Sequence, residues 1–178
     1  MPDIRPRDDG WAVLPLRLMI GFGFAAHGWA KLSRGPDHFA VILSSIGVPR
    51  PQLMAWATSL LELVGGIAVM AGALVVPFSV PLIAIMLTAM FSVHFRYGFS
   101  SIRLKAAGPA GAEFGPIGYE MNLLYIVGLL TLVLAGPGRL SVDRWRKARR
   151  RRPHTSGATS ALVAGTAGPH PAAGSKTA

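Results

Sequence analysis

Long apolar runs alternate with short polar connections along the chain, and their lengths predict the secondary structure. A helix needs ~20 residues to cross ~30 Å of hydrocarbon. The sequence offers four runs near that length, the last of them shorter: Trp11–Leu32, Leu53–Val76, Phe78–Tyr97 and Tyr119–Ala135. The runs lack the alternation of strands, and an open sheet edge cannot lie in lipid. The pattern therefore predicts an all-α fold, a bundle of four transmembrane helices, and strands are not expected anywhere.

The connections and the ends divide the chain further. Pro77 and Pro81 stand where the second and third runs meet. Proline suits a first helical turn but lacks the N–H of a helix interior, so a tight helical hairpin is expected there. The predicted membrane domain is residues 11–143, behind an N-terminal segment of residues 1–10. Residues 144–178 form a tail that is first basic and then, from Pro153, rich in Ala, Gly, Pro, Ser and Thr, a composition typical of disorder.

The distribution of charged residues predicts how the bundle is oriented across the membrane. The chain carries 18 Lys and Arg against 8 Asp and Glu, and Lys and Arg near helix ends are retained on the cytoplasmic side. With four spans, both termini and the second loop share one face, which holds Arg5, Arg7, Arg17, Arg139, Arg144, Arg146, Lys147 and Arg149 to Arg152. The opposite face holds Lys31, Arg34, Arg50, Arg96, Arg103 and Lys105. We therefore expect both termini in the cytoplasm.

Glu62 is the ionisable residue of the second run, in which every other side chain is uncharged. A carboxylate at bilayer depth costs several kcal/mol unless it faces a bundle interior, takes a proton or finds a cation. Its candidate partners are Arg17, His27 and Lys31 of the first run, and together they predict a polar site inside the membrane. Arg17 and Lys31 lie about 21 Å apart along a helix, so a second interpretation is that they extend to opposite interfaces.

Small residues accompany these charges. Gly21 and Gly28 fall on the same helical stripe as Arg17 and Lys31. A matching small surface in the second run is made by Gly65, Gly66 and Gly72. Because small residues let membrane helices approach closely, we expect helix packing through these positions.

The third and fourth runs supply two further candidates. Met86, Met90 and His94 follow at intervals of four. Two thioethers and an imidazole could hold Cu(I), but packing methionines beside a proton-handling His94 are preferred, and no metal site is expected. Glu120 stands in the first turn of the fourth helix. It either begins the helix in the ordinary way or adds a second carboxylate to the pocket of His94.

A segment from Gly136 to Asp143 breaks the fourth helix, and Ser141 can cap a short basic stretch after it. The basic side chains of that stretch are Arg144, Arg146, Lys147, Arg149, Arg150, Arg151 and Arg152. They are candidates for contact with anionic lipid or with a partner protein, or they only fix the topology. Nucleic acid is not an expected partner.

Taken in order, these residues resemble the DoxX family of small four-helix bacterial membrane proteins. The resemblance covers about residues 14–143. It rests on Arg17, Gly28-Trp29-Ala30-Lys31-Leu32, Gly47-Val48-Pro49, Glu62 with Gly65-Gly66 and Gly72, His94, Tyr119-Glu120 and the ending Gly136-Pro137-Gly138-Arg139-Leu140-Ser141-Val142-Asp143. The resemblance implies a multi-pass protein of the bacterial plasma membrane.

The resemblance also implies a role in redox chemistry. Relatives are similar to the DoxD subunit of thiosulfate:quinone oxidoreductase or are membrane partners of soluble redox enzymes. This chain is accordingly expected to be a membrane subunit or partner of a redox or oxidative-stress system. Carried over by position, Arg17, Lys31, Glu62, His94 and Glu120 would line a shared intramembrane site that could hold a quinone.

A non-enzymatic role is the alternative. The chain could be a scaffold or anchor for soluble partners, or a small-solute permeability factor. A transporter usually shows more spans or an internal repeat, although a homo-oligomer could take their place. The sequence has no cysteine and no recognisable motif for a dinucleotide, a haem or an iron–sulfur cluster. A self-sufficient catalytic motif is therefore not evident.

Overall fold

The structure, a computed structural model, describes residues 10–109 and 111–150. Its helices and strands are α1 (Val13–Ser33), α2 (Pro36–Ser45), α3 (Pro51–Ala71), α4 (Val75–Ala89), β1 (Leu104–Gly108), β2 (Gly111–Phe114), α5 (Glu120–Ala135) and α6 (Val142–Arg150). α4 continues through a π-helical turn, Met90–His94, and a 3₁₀ turn, Phe95–Tyr97. The predicted N-terminal segment up to residue 9, Arg151, Arg152 and the predicted disordered tail lie outside the described residues.

Three helices in this part of the chain are long and apolar enough to span a membrane: α1, α3, and α4 with its two added turns. α5 is a shorter apolar helix of 16 residues, about 24 Å long at the usual helical rise. Only 22 to 33 % of each spanning window is buried inside the protein, so most of the apolar surface faces outward, as it does in lipid. The predicted all-α, four-helix membrane bundle is confirmed.

The turn between α3 and α4 falls earlier than the prolines suggested. α3 ends at Ala71, and the left-handed conformations of Gly72 (φ 67°) and Leu74 (φ 50°) reverse the chain. Pro77 then lies in the first turn of α4, where its missing N–H does no harm, and Pro81 lies inside the helix. The second membrane helix therefore ends before the predicted Val76.

α1 and α3 pack closely because glycines lie between them. A Cβ at Gly21 would lie 2.6 Å from the carbonyl oxygen of Gly66, and one at Gly28 would lie 2.7 Å from that of Ser59. Both distances are too short for a real side chain, so any larger residue would push the two helices apart.

The core lies between α1, α3, α4 and α5. Its buried apolar side chains are Ile20, Phe24, Val69, Val75, Leu82, Leu129 and Leu132. Gly65 faces this core, since a Cβ there would lie 3.3 Å from Leu82. In a smaller cluster, Ala40 and Leu43 of α2 pack near Ala55 of α3. We call the end of the bundle with α2 and the strands the loop end, and the opposite end, where α6 lies, the termini end.

α6 is fastened to the termini end by the segment before it. Asp143 accepts a hydrogen bond from the Leu74 N–H at 3.0 Å, and its own N–H donates to the Gly72 carbonyl at 3.1 Å. The Ser141 hydroxyl accepts one from the Arg144 N–H at 3.2 Å, which is the geometry of a helix cap. The beginning of the basic tail is therefore a docked helix.

The connection before α5 contains strands, and the expectation of no strands was wrong there. β1 and β2 pair antiparallel, with Leu104 opposite Phe114 and an irregularity after Leu104. Every residue described in the two strands is exposed. This hairpin lies beyond the ends of the spanning helices, where water can satisfy its open edges, so the exclusion of sheet edges from lipid does not apply.

Candidate functional site

A cavity of about 620 Å³ lies between the five helices α1 to α5, towards the loop end. We call it the bundle cavity. Its wall is mostly apolar, with Phe24, Leu43 and Ile85 among the lining residues. The predicted site residues that line it are His27, Lys31, Glu62 and His94, and its other polar side chains include Thr58, Thr88, Asn122 and Tyr125. An apolar cavity of this size with a few converging polar groups is typical of a small-molecule site.

Lys31 and Glu62 form an ion pair at the wall of the bundle cavity. Lys31 Nζ lies 2.7 Å from Oε1 and 2.6 Å from Oε2 of Glu62, so the ammonium donates to both oxygens. The Glu62 side chain is only 1 % exposed and that of Lys31 is 25 % exposed. Gly28 makes the pair possible, because it brings α1 against the α3 backbone at Ser59, one turn before Glu62. The lysine offsets the cost of burying a carboxylate.

α2 covers the ion pair at the loop end. The Phe39 ring lies with its centroid 4.6 Å from Lys31 Nζ, within cation–π distance. Gln52 at the start of α3 donates a hydrogen bond to Asp37 of α2. The sequence predicts only a connection between the first two spans in this stretch. In the structure it is a wall of the site.

His27 and Tyr125 face each other across the cavity wall. Their ring centroids are 6.5 Å apart in an edge-to-face arrangement, and Tyr125 makes a second such contact with Phe24 at 5.1 Å. Tyr125 can approach α1 because Gly23 has no side chain: a Cβ there would lie 2.7 Å from the Tyr125 Cζ. These contacts fix the ring that carries the hydroxyl.

His94 is presented to the cavity by the π-helical turn at the end of α4. Such turns insert a residue into a helix and are frequent at functional sites. His94 Nδ1 lies 3.0 Å from the carbonyl oxygen of Ile117. Because a carbonyl oxygen only accepts, Nδ1 is the nitrogen that donates, and Nε2 is the ring nitrogen left for a ligand.

Arg17 and Glu120, the other two predicted site residues, do not line the bundle cavity. Arg17 is 2 % exposed and lies at the termini end, where its guanidinium donates to the carbonyl oxygens of Pro137 and Leu140. Among the described residues its Nε has no acceptor. Glu120 accepts a hydrogen bond from the Ser101 N–H at 2.9 Å and so ties the loop to α5. Four of the six predicted site residues therefore line the bundle cavity, whereas Arg17 and Glu120 lie outside it.

The methionine–histidine set is also divided. Met86 and His94 line the cavity, whereas Met90 is buried and is not among the lining residues. Within residues 10–109 and 111–150, no group of three or more His, Cys, Asp or Glu side chains is placed to hold a metal ion.

Comparison with known proteins places this architecture in a family. The DoxX family model matches residues 12–95. The uncharacterized membrane protein Rv3486 of Mycobacterium tuberculosis is 30 % identical over an alignment of 140 residues, which covers 75 % of this chain and 80 % of that protein. The chain belongs to the DoxX family. No solved structure matches the chain.

The part of this DoxX protein that matches the family model runs from the start of α1 into the 3₁₀ turn after α4. It includes His27, Lys31, Glu62 and His94. Asn122 and Tyr125, on α5, lie beyond it. The first four helices of the cavity wall therefore belong to the matched region, and the fifth does not.

Asn122 and Tyr125 are cavity residues that the sequence analysis missed. Asn122 is buried, and its Nδ2 lies 3.4 Å from the Met86 carbonyl oxygen. A signal existed for Asn122, because an amide inside an apolar helix must find a partner or a ligand. The sequence holds no such signal for Tyr125, because a tyrosine in an apolar helix can be a packing residue as readily as a ligand-binding one.

The polar groups of the bundle cavity have complementary roles. Lys31 and the Asn122 amide donate hydrogen bonds, Glu62 accepts them, and the Tyr125 hydroxyl can do either. His94 offers Nε2 to a ligand. This arrangement suits a ligand with an apolar body and polar atoms on more than one side.

Proposed function

We propose that this DoxX protein is a membrane subunit or partner of a redox system and that its bundle cavity binds the headgroup of a quinone. The observation that carries the proposal is the makeup of the cavity wall, which is apolar except for a few polar side chains from α1, α3, α4 and α5. A quinone is a flat apolar ring with carbonyl oxygens on opposite sides and an apolar tail. Its chemistry matches that wall.

The polar groups supply what the ring oxygens require. Lys31 and the Tyr125 hydroxyl can donate to one carbonyl, and the Asn122 amide can donate to the other. The apolar side chains of the cavity would contact the ring. The isoprenoid tail would leave between helices, whose outward surfaces are apolar.

Reduction of a quinone to a quinol takes two electrons and two protons. The Lys31–Glu62 pair, the Tyr125 hydroxyl and His94 are the groups that would exchange those protons with the ring oxygens. The sequence holds no cysteine, so no iron–sulfur cluster can rest on thiolates of this chain. Electrons would therefore pass to or from a soluble redox enzyme that docks on the membrane protein.

The test is the quinone content of the protein taken from its native membrane in mild detergent, measured by mass spectrometry of the extracted lipids. We expect about one quinone per protein, and about tenfold less in Glu62→Gln, which weakens a charge-assisted hydrogen-bond network in the cavity. The matched control is Glu113→Gln, the same change at an exposed position of β2. Thermal unfolding of both variants shows whether they remain folded.

Two results would contradict the proposal. One is a folded wild-type protein without quinone, and the other is an equal quinone content in Glu62→Gln and Glu113→Gln. Either would leave the bundle cavity without its proposed ligand.

A scaffold for soluble proteins is the second candidate, and the exposed basic side chains of α6 favour it. A soluble protein that co-purifies with Glu62→Gln, but not after deletion of residues 144–152, would establish the anchoring role. Solute flux through reconstituted protein becomes the next measurement if neither quinone nor partner is found.

A further inference from the structure

A second pocket, of about 460 Å³, lies at the termini end of the bundle. It is lined by Gly10, Ala12, Val13, Ala135, Pro137, Gly138, Arg144 and Lys147. We call it the basic pocket. It is formed where the start of α1, the end of α5 and the face of α6 meet, and it is separate from the bundle cavity, with which it shares no residue.

The fold fixes the backbone of the helix that carries the two cations of the basic pocket. Arg144 and Lys147 are three residues apart on α6, so they lie on one face of the helix. The first turn of α6 is fixed by the Asp143 hydrogen bonds to α4 and by the Ser141 cap. Arg17 fixes the segment before it by donating to the carbonyl oxygen of Leu140 at 2.9 Å.

The charge of the basic pocket is uncompensated within the described residues. No carboxylate is among the residues that line it. The neighbouring Asp143 is turned towards the start of α4, where its two oxygens accept hydrogen bonds from the backbone N–H groups of Leu74 and Val75. Two cations beside a cavity that no described carboxylate lines indicate an anionic ligand.

The position of the basic pocket indicates which anion. Its other wall is made of small apolar residues at the ends of two membrane helices, Val13 of α1 and Ala135 of α5. Close by, Leu134 is 85 % exposed and Leu140 is 69 % exposed. Such exposed leucines are stable at the level where acyl chains begin. A ligand here would meet cations on one side and hydrocarbon on the other, as a phospholipid does.

We propose that the basic pocket binds the phosphate headgroup of an anionic phospholipid. The lipid would place its phosphate between Arg144 and Lys147 and its glycerol and upper acyl chains against Val13 and Ala135. This inference is independent of the quinone proposal, because it concerns the other end of the molecule.

Native mass spectrometry of the purified full-length protein, titrated with phosphatidylglycerol or with phosphatidylcholine of the same acyl chains, tests the proposal. We expect one tightly retained phosphatidylglycerol. The double variant Arg144→Gln/Lys147→Gln should bind it about 30-fold more weakly, given ~1 kcal/mol for each basic residue near the membrane surface. The single variant Lys147→Gln, at an exposed position, should lose about fivefold.

The matched control is Arg146→Gln/Arg149→Gln, which removes the same charge from the opposite face of α6. The pocket predicts less than a threefold change for this control, whereas general attraction between α6 and anionic lipid predicts equal losses in both double variants. Equal losses would overturn the proposal, as would equal retention of the two lipids. Displacement of the lipid by soluble glycerol phosphate at comparable concentration would mean that the ligand is a free phosphate anion and would overturn its identification as a lipid.

Discussion

Lys31 and Glu62 form the buried ion pair of the bundle cavity, with the Glu62 side chain 1 % exposed, and we expect each to depend on the other. We predict that Lys31→Met destabilises the protein by about 3 kcal/mol, since it leaves the buried Glu62 carboxylate without its cation. Lys105→Met, an equal loss of charge at an exposed position of β1, should change stability by less than about 0.5 kcal/mol.

A double-mutant cycle measures whether the two residues are coupled. Unfolding in mixed micelles would be followed for Lys31→Met, Glu62→Gln and the double variant. The double variant should be more stable than the sum of the single effects predicts, because it buries no unpaired charge. Simple additivity would show that the ion pair contributes nothing as a pair.

Sequence alone predicted that Glu62 needs a partner but left three basic side chains as candidates. The choice depends on two features of the folded bundle. Gly28 sets the height at which α1 meets α3, and this height brings Lys31 to Glu62. Arg17 instead donates a hydrogen bond to the carbonyl oxygen of Pro137, which is 120 residues further along the chain. A contact between residues so far apart in the chain leaves no periodic pattern in the sequence, so it cannot be predicted from spacing.

At the scale of elements, the approach of α1 to α3 decides the geometry of the site. We predict that Gly28→Val disrupts the protein, because a Cβ at this position would lie 2.7 Å from the Ser59 carbonyl oxygen and 2.9 Å from the Leu63 Cα. Separation of the helices would also break the ion pair of Lys31 and Glu62. Folding is measured by the monodisperse fraction in detergent and by the Tm.

The control for this substitution is Gly108→Ala at the end of β1. A Cβ there would meet no atom within 4 Å, so the Tm should stay within a few degrees of wild type. A Gly28→Val protein with the wild-type Tm would show that the two helices do not need this close approach.

The elements that sequence reasoning found and those that it missed differ in physical kind. The spanning helices follow from the length of their apolar runs, which lipid imposes on any chain. α2 is short, and its apolar positions, Phe39 and Leu43 among them, sit in a stretch that also carries charges. The π-helical turn before Phe95 leaves no mark in composition, because it depends on how α4 packs rather than on which residues it contains.

At the scale of the whole molecule, the two ends of the bundle carry different surfaces. The loop end holds the bundle cavity, α2 and the hairpin. The termini end holds the basic helix α6 and the basic pocket. The sequence predicted this division from the order of four spans, since an even number of crossings returns the chain to its starting side. It did not predict that α6 would be fastened to the α3–α4 turn.

Orientation in the membrane is the property of the whole molecule that this division predicts. The sequence assigns eleven Lys and Arg to the side of the termini and six to the loop end, which are Lys31, Arg34, Arg50, Arg96, Arg103 and Lys105. Lys31 is in addition neutralised by Glu62 inside the bundle, which widens the difference. The surplus of positive charge lies at the termini end, so the positive-inside rule predicts that this end faces the cytoplasm.

Single cysteines measure this orientation directly, because the sequence has no cysteine of its own. Ala107→Cys lies in the exposed β1 and Ala148→Cys lies on the exposed surface of α6. In intact cells, a maleimide that cannot cross the plasma membrane should label Ala107→Cys and leave Ala148→Cys unlabelled until the membrane is permeabilised. The reverse pattern would place α6 and the basic pocket outside the cell and would contradict the orientation that the Lys and Arg residues predict.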